Sequence, residues 1–114
     1  MHELGTVIYI IETVEKIAEE QSLSVVDSVT LEVGEVSGIV PDYIKDFWLY
    51  ARKKSDVLKE AELKIETIDA VTYCEDCSKT YPTVQYAKEC PHCHSLNTYL
   101  LQGNEYNIKE IVAM

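Results

Sequence analysis

Two Cys-x-x-Cys pairs, Cys74–Cys77 and Cys90–Cys93, constrain this chain more than anything else in it. A Cys-x-x-Cys turn brings two thiolates to one side of a tight loop, which is half of a tetrahedral metal site. Two such turns with 12 residues between them close a four-cysteine cage and leave no coordination position for water or substrate. The separation is just short of the roughly 15–20 residues usual in a two-knuckle zinc site. Two disulfides are the main alternative. They are disfavoured because the start, Met1-His2-Glu3, has no basic signal-peptide region and the chain holds no further cysteine. A thioredoxin-like redox pair would need one Cys-x-x-Cys and leave the second unexplained. The ligands alone do not separate iron from zinc.

A chain of 114 residues is long enough for one core domain, or for a small core plus a metal-held module. With 46% hydrophobic residues it is expected to fold. No apolar run approaches the roughly 18 residues of a membrane span, so a cytoplasmic protein without a membrane partner is expected. Net charge is −10, and four thiolates around one divalent ion add about two more negative charges. Such a surface repels phosphates, which argues against the nucleic-acid binding common among four-cysteine ribbons. A catalytic zinc needs an open position, and the chain shows no nucleophile motif or phosphate loop. The expectation is therefore not an enzyme.

The apolar residues Leu4, Val7, Ile8, Ile11, Val14, Ile17 and Ala18 predict an amphipathic helix over 4–21, with Tyr9 and Ile10 widening its apolar arc. Ser22 to Ser24 break it. Residues 25–36 read as a strand with one polar face, Val29, Leu31 and Val33 alternating with Thr30 and Glu32. Gly34 and Gly38 bracket its end. Pro41 and Asp42 then open a helix expected to reach Lys54, with Ile44, Phe47, Trp48 and Ala51 as its buried stripe. Residues 61–70 read as a strand that shifts phase at Ile68, as a bulge would. If the two strands are parallel neighbours, the crossover should be right-handed.

Between the knuckles Tyr81, Val84 and Tyr86 suggest a short hairpin, and Tyr99 to Leu101 another strand. This region has too little apolar mass for its own core, so the metal must supply most of its folding free energy, about 10 kcal/mol or more. After the turn at Gly103 and Asn104, residues 106–112 are expected to rejoin the first sheet. The expected fold class is α+β: two helices packed on a small mixed three-stranded sheet, with an inserted zinc-ribbon-like domain built on the four cysteines. The expected boundaries are 1–70 plus 103–114 for the α/β domain and 71–102 for the zinc-binding domain.

His2 is the other position with chemistry. An imidazole there, with backbone nitrogens that lose their protons, chelates a metal in a plane, which suits Ni(II) or Cu(II) better than Zn(II). Glu3 adds an amide nitrogen and a carboxylate. A histidine near a terminus is also an ordinary solvated residue. His92 and His94 flank Cys93; a zinc with four thiolates does not need them, so they are either surface residues or part of a second site.

Met1-His2-Glu3-Leu4, Gly34-Glu35-Val36-Ser37-Gly38, the two knuckles, and Gln102-Gly103-Asn104-Glu105 together resemble the HypA/HybF family of hydrogenase nickel-insertion accessory proteins. The resemblance covers the whole chain. It implies a nickel metallochaperone that carries Ni(II) through His2, with backbone nitrogens near Glu3, and a structural Zn(II) held by Cys74, Cys77, Cys90 and Cys93. Implied partners are a HypB-type GTPase, the large subunit of [NiFe] hydrogenase and, for some members, urease accessory proteins. The chain itself would be a monomer or weak homodimer. Gly5 departs from the Ser of many members and should loosen the first helical turn, since Gly costs about 1 kcal/mol there relative to Ala. Proton loss at the ligands predicts weaker nickel binding near about pH 6 than near about pH 7.5.

Overall fold

The computed structural model describes residues 2–113, apart from the side chain of His2. Contacts divide the chain into two units. One comprises Met1–Glu32, Ile39–Glu66 and Asn107–Met114; the other comprises Val33–Gly38 and Thr67–Tyr106.

The first unit begins with helix α1, His2–Glu20. Its inward face is Val7, Ile10, Ile11, Val14 and Ala18, all at helical spacing. Ile8, expected in the stripe, is 45% exposed, and Ile10 is fully buried in its place. The buried stripe is thus turned by part of one residue step, and Ile8 falls on its margin. Gly5 lies within the helix, and a Cβ added there would meet no atom outside the helix's own local backbone within 4 Å. The break at Ser22 is a Schellman close: Ser22 has φ +56°, Leu23 N–H donates to Ala18 O at 2.8 Å, and Ser22 N–H donates to Glu19 O at 3.4 Å.

Helix α2, Pro41–Ala51, starts on an extended Val40 with Pro at its first position. It buries Ile44 and Trp48 and packs against α1. Phe47 and Ala51 are only half-buried. The α-helix stops at Ala51; Arg52–Lys54, expected to continue it, tighten into a 3-10 turn. Trp48 Nε1–H and Arg52 Nη1–H both donate to Ala61 O at 2.9 Å, tying the helix end to the segment that leads into the next strand.

The first sheet has the order β2-β1-β6, from β1 (Val26–Gly34), β2 (Glu62–Ile68) and β6 (Tyr106–Ala113). Val26 N–H donates to Val57 O and Glu35 N–H to Ile68 O, so β1 and β2 advance together. Gly34 N–H donates to Glu105 O and Val36 N–H to Gly103 O; numbers rise on one strand as they fall on the other, so β6 is antiparallel. The sheet is therefore mixed, and the last strand rejoins it as expected. The polar face expected of β1 is largely covered: Thr30 is 6% exposed and Glu32 half-buried, and Ser28 on the same face is also 6% exposed. The cause is position. β1 is the middle strand, and Lys109 of β6 pairs with Glu66 of β2 at 2.8 Å, across it.

The phase shift at Ile68 is a strand end, not a bulge: β2 stops there and β3, Val71–Cys74, begins after Asp69 and Ala70. The hairpin expected between the knuckles is absent. Instead β4, Thr80–Pro82, pairs with β3 across the first knuckle, with Thr72 opposite Tyr81. Pro82 has no N–H to continue a ladder, and residues 83–86 coil into a single helical turn, α3 (Thr83–Tyr86). Strand β5, Thr98–Gln102, lies antiparallel on the other side of β3, with Cys74 opposite Thr98. The second sheet thus has the order β4-β3-β5.

Two of the motifs quoted above meet in this second unit. A Cβ on Gly34 would lie 2.1 Å from Gly103 O, and one on Gly103 (φ +113°) would lie 2.4 Å from Ala70 Cα. Only glycine permits this crossing. The Glu35 carboxylate accepts the Ala70 N–H at 2.9 Å, and the Glu105 carboxylate accepts the Gly103 N–H at 3.2 Å.

Candidate metal centre

The two knuckles fold as copies of one turn. In the first, Ser78 N–H donates to Cys74 O at 2.9 Å and Cys74 N–H to Lys79 O at 2.9 Å. In the second, His94 N–H donates to Cys90 O at 2.8 Å and Cys90 N–H to Ser95 O at 3.0 Å. The residue after the second cysteine is left-handed in both: Ser78 at φ +59° and His94 at φ +62°. The leading cysteine of each knuckle, Cys74 and Cys90, is fully buried, while Cys77 is half-buried and Cys93 exposed.

The four Sγ atoms lie within 4.8 Å of one another. The short approaches cross from knuckle to knuckle, Cys74 to Cys93 at 3.5 Å and Cys77 to Cys90 at 3.6 Å. A disulfide needs about 2.05 Å, and all four are free thiols. A tetrahedron of about 2.3 Å metal–sulfur bonds has edges of about 3.8 Å. The cage matches that size. Its donor set, four sulfurs and nothing else, suits zinc or iron and leaves no open position. Closing such a site would fix the second knuckle to the first.

The thiol electrostatics favour a cation. Burial raises the Cys77 thiol. Burial opposes ionisation of Cys90 too, but the N–H groups of Cys93 and His92 and the neighbouring thiols outweigh it and bring that thiol down to about 7. The Ser95 N–H lowers Cys93, yet burial and the three neighbouring sulfurs push it up to about 12. One thiolate forms readily and makes the next ones costly, which is the behaviour of like charges sharing a site. A divalent cation removes that cost.

The small core under the cage is Cys74, Tyr81 and Cys90, with Cys77 packed on it. Tyr81 O–H donates to Ala87 O at 2.9 Å, and its ring meets Tyr86 edge-on at 6.0 Å. Sequence reading overlooked Asp76, Ser95 and Asn97. The Asp76 carboxylate accepts from the Ser95 hydroxyl and, at 3.4 Å, from the Asn97 side-chain amide. The Ser95 hydroxyl and the Asn97 amide hold Asp76 below the usual carboxylate range. The only sequence signal was a polar residue inside one knuckle matched by two just beyond the other.

His92 and His94 are exposed and join no metal-ligating cluster among the described residues. His94 Nδ1 stands 3.7 Å from the Glu89 carboxylate, with both side chains well exposed. Glu3 is half-buried in the first turn of α1. Met1 and the His2 side chain, on which the nickel expectation rests, lie outside the described residues. No helix among the described residues is long and apolar enough to cross a membrane.

Comparison with known proteins agrees with this geometry. The HypA family profile, described as hydrogenase/urease nickel incorporation, metallochaperone, matches residues 1–113. The hydrogenase maturation factor HypA of Parabacteroides distasonis is 34% identical over 98% of this chain and 96% of its own length. That of Geobacter metallireducens is 34% identical over 97% of each. Among solved structures, a solution structure of the Ni metallochaperone HypA from Helicobacter pylori is similar at TM-score 0.74 and 26% identity, covering 98% of this chain and 97% of that one. A second HypA solution structure is similar at TM-score 0.77 and 28% identity, covering 100% and 97%. Matched along its whole length in sequence and in fold, the chain belongs to the HypA family of nickel metallochaperones for hydrogenase maturation.

Proposed function

We propose that this chain binds Ni(II) near its amino terminus and delivers it to the large subunit of [NiFe] hydrogenase, working with a HypB-type GTPase. The ligands are the His2 imidazole and backbone nitrogens of the first residues, Glu3 among them. Residues 1–70 with 103–114 form the nickel-binding part, and 71–102 the zinc-binding part. Cys74, Cys77, Cys90 and Cys93 hold Zn(II), whose role is structural: it supplies the charge and bonds that keep the two knuckles together. The reading is a carrier, not an enzyme. What carries it is the family match from residue 1 onward, with His2 and Glu3 inside the matched stretch.

The chemistry divides accordingly. Four thiolates retain a soft or borderline ion, while a few nitrogen ligands at a chain end favour a planar Ni(II) and release it when protons return. The test is a nickel titration of the zinc-loaded wild type against His2→Ala, followed by absorption. The wild type should develop the spectrum of planar nitrogen-bound Ni(II) and the variant should not. Equal binding with equal spectra in both would overturn the assignment.

A further inference from the structure

The second knuckle is the less supported of the two. The first is carried on paired strands, since β3 ends at Cys74 and β4 begins just after Lys79. The second lies between irregular segments, 87–89 and 95–97. Apart from sulfur, a compact set of contacts links it to the first. Ser95 closes its own knuckle with its carbonyl, which accepts the Cys90 N–H. The same residue donates its hydroxyl to Asp76, which stands between Cys74 and Cys77. Asn97 donates its side-chain amide to the other oxygen of Asp76 at 3.4 Å and its backbone N–H to Ser95 Oγ at 3.0 Å. The Asn97 carbonyl accepts the Glu75 N–H at 3.0 Å. Both carboxylate oxygens of Asp76 are thus engaged by the stretch of chain that leaves the second knuckle.

We propose that Asp76 is a positioning residue for the cysteine cluster: by holding Ser95 and Asn97 it keeps the second knuckle against the first when a metal–sulfur bond opens, and so slows loss of the metal. The inference rests on the zinc reading above. Release from a four-sulfur cage proceeds one ligand at a time. A knuckle tethered by another route stays within bonding distance and recloses; an untethered one swings away and exposes the ion to a competitor. The carboxylate suits this task because charge-assisted hydrogen bonds are stronger than neutral ones and two donors fix its orientation.

The experiment loads the full chain with Co(II) in place of zinc and follows the thiolate charge-transfer absorption during transfer to excess EDTA. Wild type is compared with Asp76→Ala, Asp76→Asn, Ser95→Ala and Asn97→Ala. All should start with the same tetrahedral four-sulfur spectrum. Asp76→Ala and Ser95→Ala should release about 10- to 100-fold faster, the usual cost of losing a group that orients metal ligands. Asp76→Asn keeps one acceptor oxygen and should fall between them and wild type. That ordering, with an unchanged starting spectrum, is not what general loss of stability would give. If Asp76→Ala does not load, the milder Asp76→Asn and Asn97→Ala decide the matter. Release within about twofold of wild type in all variants that load would overturn the positioning role. A wild type without the thiolate band would overturn the zinc reading itself, a separate failure.

Discussion

The two units of this chain reach a folded state by different physics. The first buries Val7, Ile10, Val14, Val26, Val29, Leu31, Ile44, Trp48 and Leu58 almost completely, a set drawn from helices, a strand and the loop before β2. The second buries far less: a cluster of Cys74, Tyr81 and Cys90, with Val33 and Ala70 besides. Apolar burial contributes about 1.5–3 kcal/mol per fully buried large side chain. The first set offsets the ordering of its backbone in that way; a set with one large side chain, Tyr81, beside a valine, an alanine and two cysteines does not. The lesson is that the sulfurs stand where this unit's core would be, and a metal held by them would take the place of the missing hydrocarbon.

The sharpest way to break that comparison is to take the metal away. Stripping the cysteine cluster with a chelator, or changing Cys90→Ser, should unfold the second unit, a loss on the order of 10 kcal/mol of metal-dependent free energy. The first unit should remain folded. Trp48, the chain's single tryptophan, reports on it alone. Amide exchange at Thr72 and Tyr81 reports on the second. The expected result is unchanged Trp48 fluorescence with loss of protection at Thr72 and Tyr81. Simultaneous loss of both signals would show that the first core also depends on the metal.

The same contrast explains what the sequence disclosed. The long elements of the first unit announce themselves by periodicity, because a helix of 19 residues and a strand of nine repeat their burial pattern several times. The cage is legible because cysteine spacing is nearly independent of the fold around it. The short strands of the second unit are not legible. Val71–Cys74 and Thr80–Pro82 are too brief to show alternation, and their pairing runs across a knuckle. Ile68 reads as a continuing strand because an apolar residue at a strand's last position looks like any other. The covering of Thr30 and, in part, of Glu32 depends on β1 being central, which is a fact of topology that no local pattern carries. Asp76 escaped notice for a similar reason: a polar residue inside a turn gives no hint that its partners lie 19 and 21 residues on.

A smaller effect is expected from opening a hole in the first core. Leu31→Ala removes a side chain with no exposed surface and should lower stability by about 2–5 kcal/mol, depending on how far the site collapses. Denaturant unfolding followed by Trp48 fluorescence gives the number, while the rate of metal release from the second unit should not change. A large drop in metal retention would contradict the separate accounting of the two units.

The smallest predicted effect concerns the knuckles themselves and decides what His94 is for. His94 and Ser78 occupy the same place in the two turns, each left-handed and each donating its N–H to the carbonyl of the leading cysteine. A non-glycine residue there is strained, by roughly 1–2 kcal/mol in the general case. Glycine would relieve the strain while adding freedom to the unfolded chain, worth about 0.4–1 kcal/mol in the other direction. His94→Gly should therefore leave the four-sulfur Co(II) spectrum unchanged and shift stability by about 1 kcal/mol or less, upward if strain outweighs entropy. Ser78→Gly should do the same. The imidazole of His94 is well exposed and 3.7 Å from Glu89, so the turn needs its backbone and not its ring. If His94→Gly weakens metal retention strongly while Ser78→Gly does not, the equivalence of the two turns fails and the ring, not the φ angle, is what the second knuckle uses.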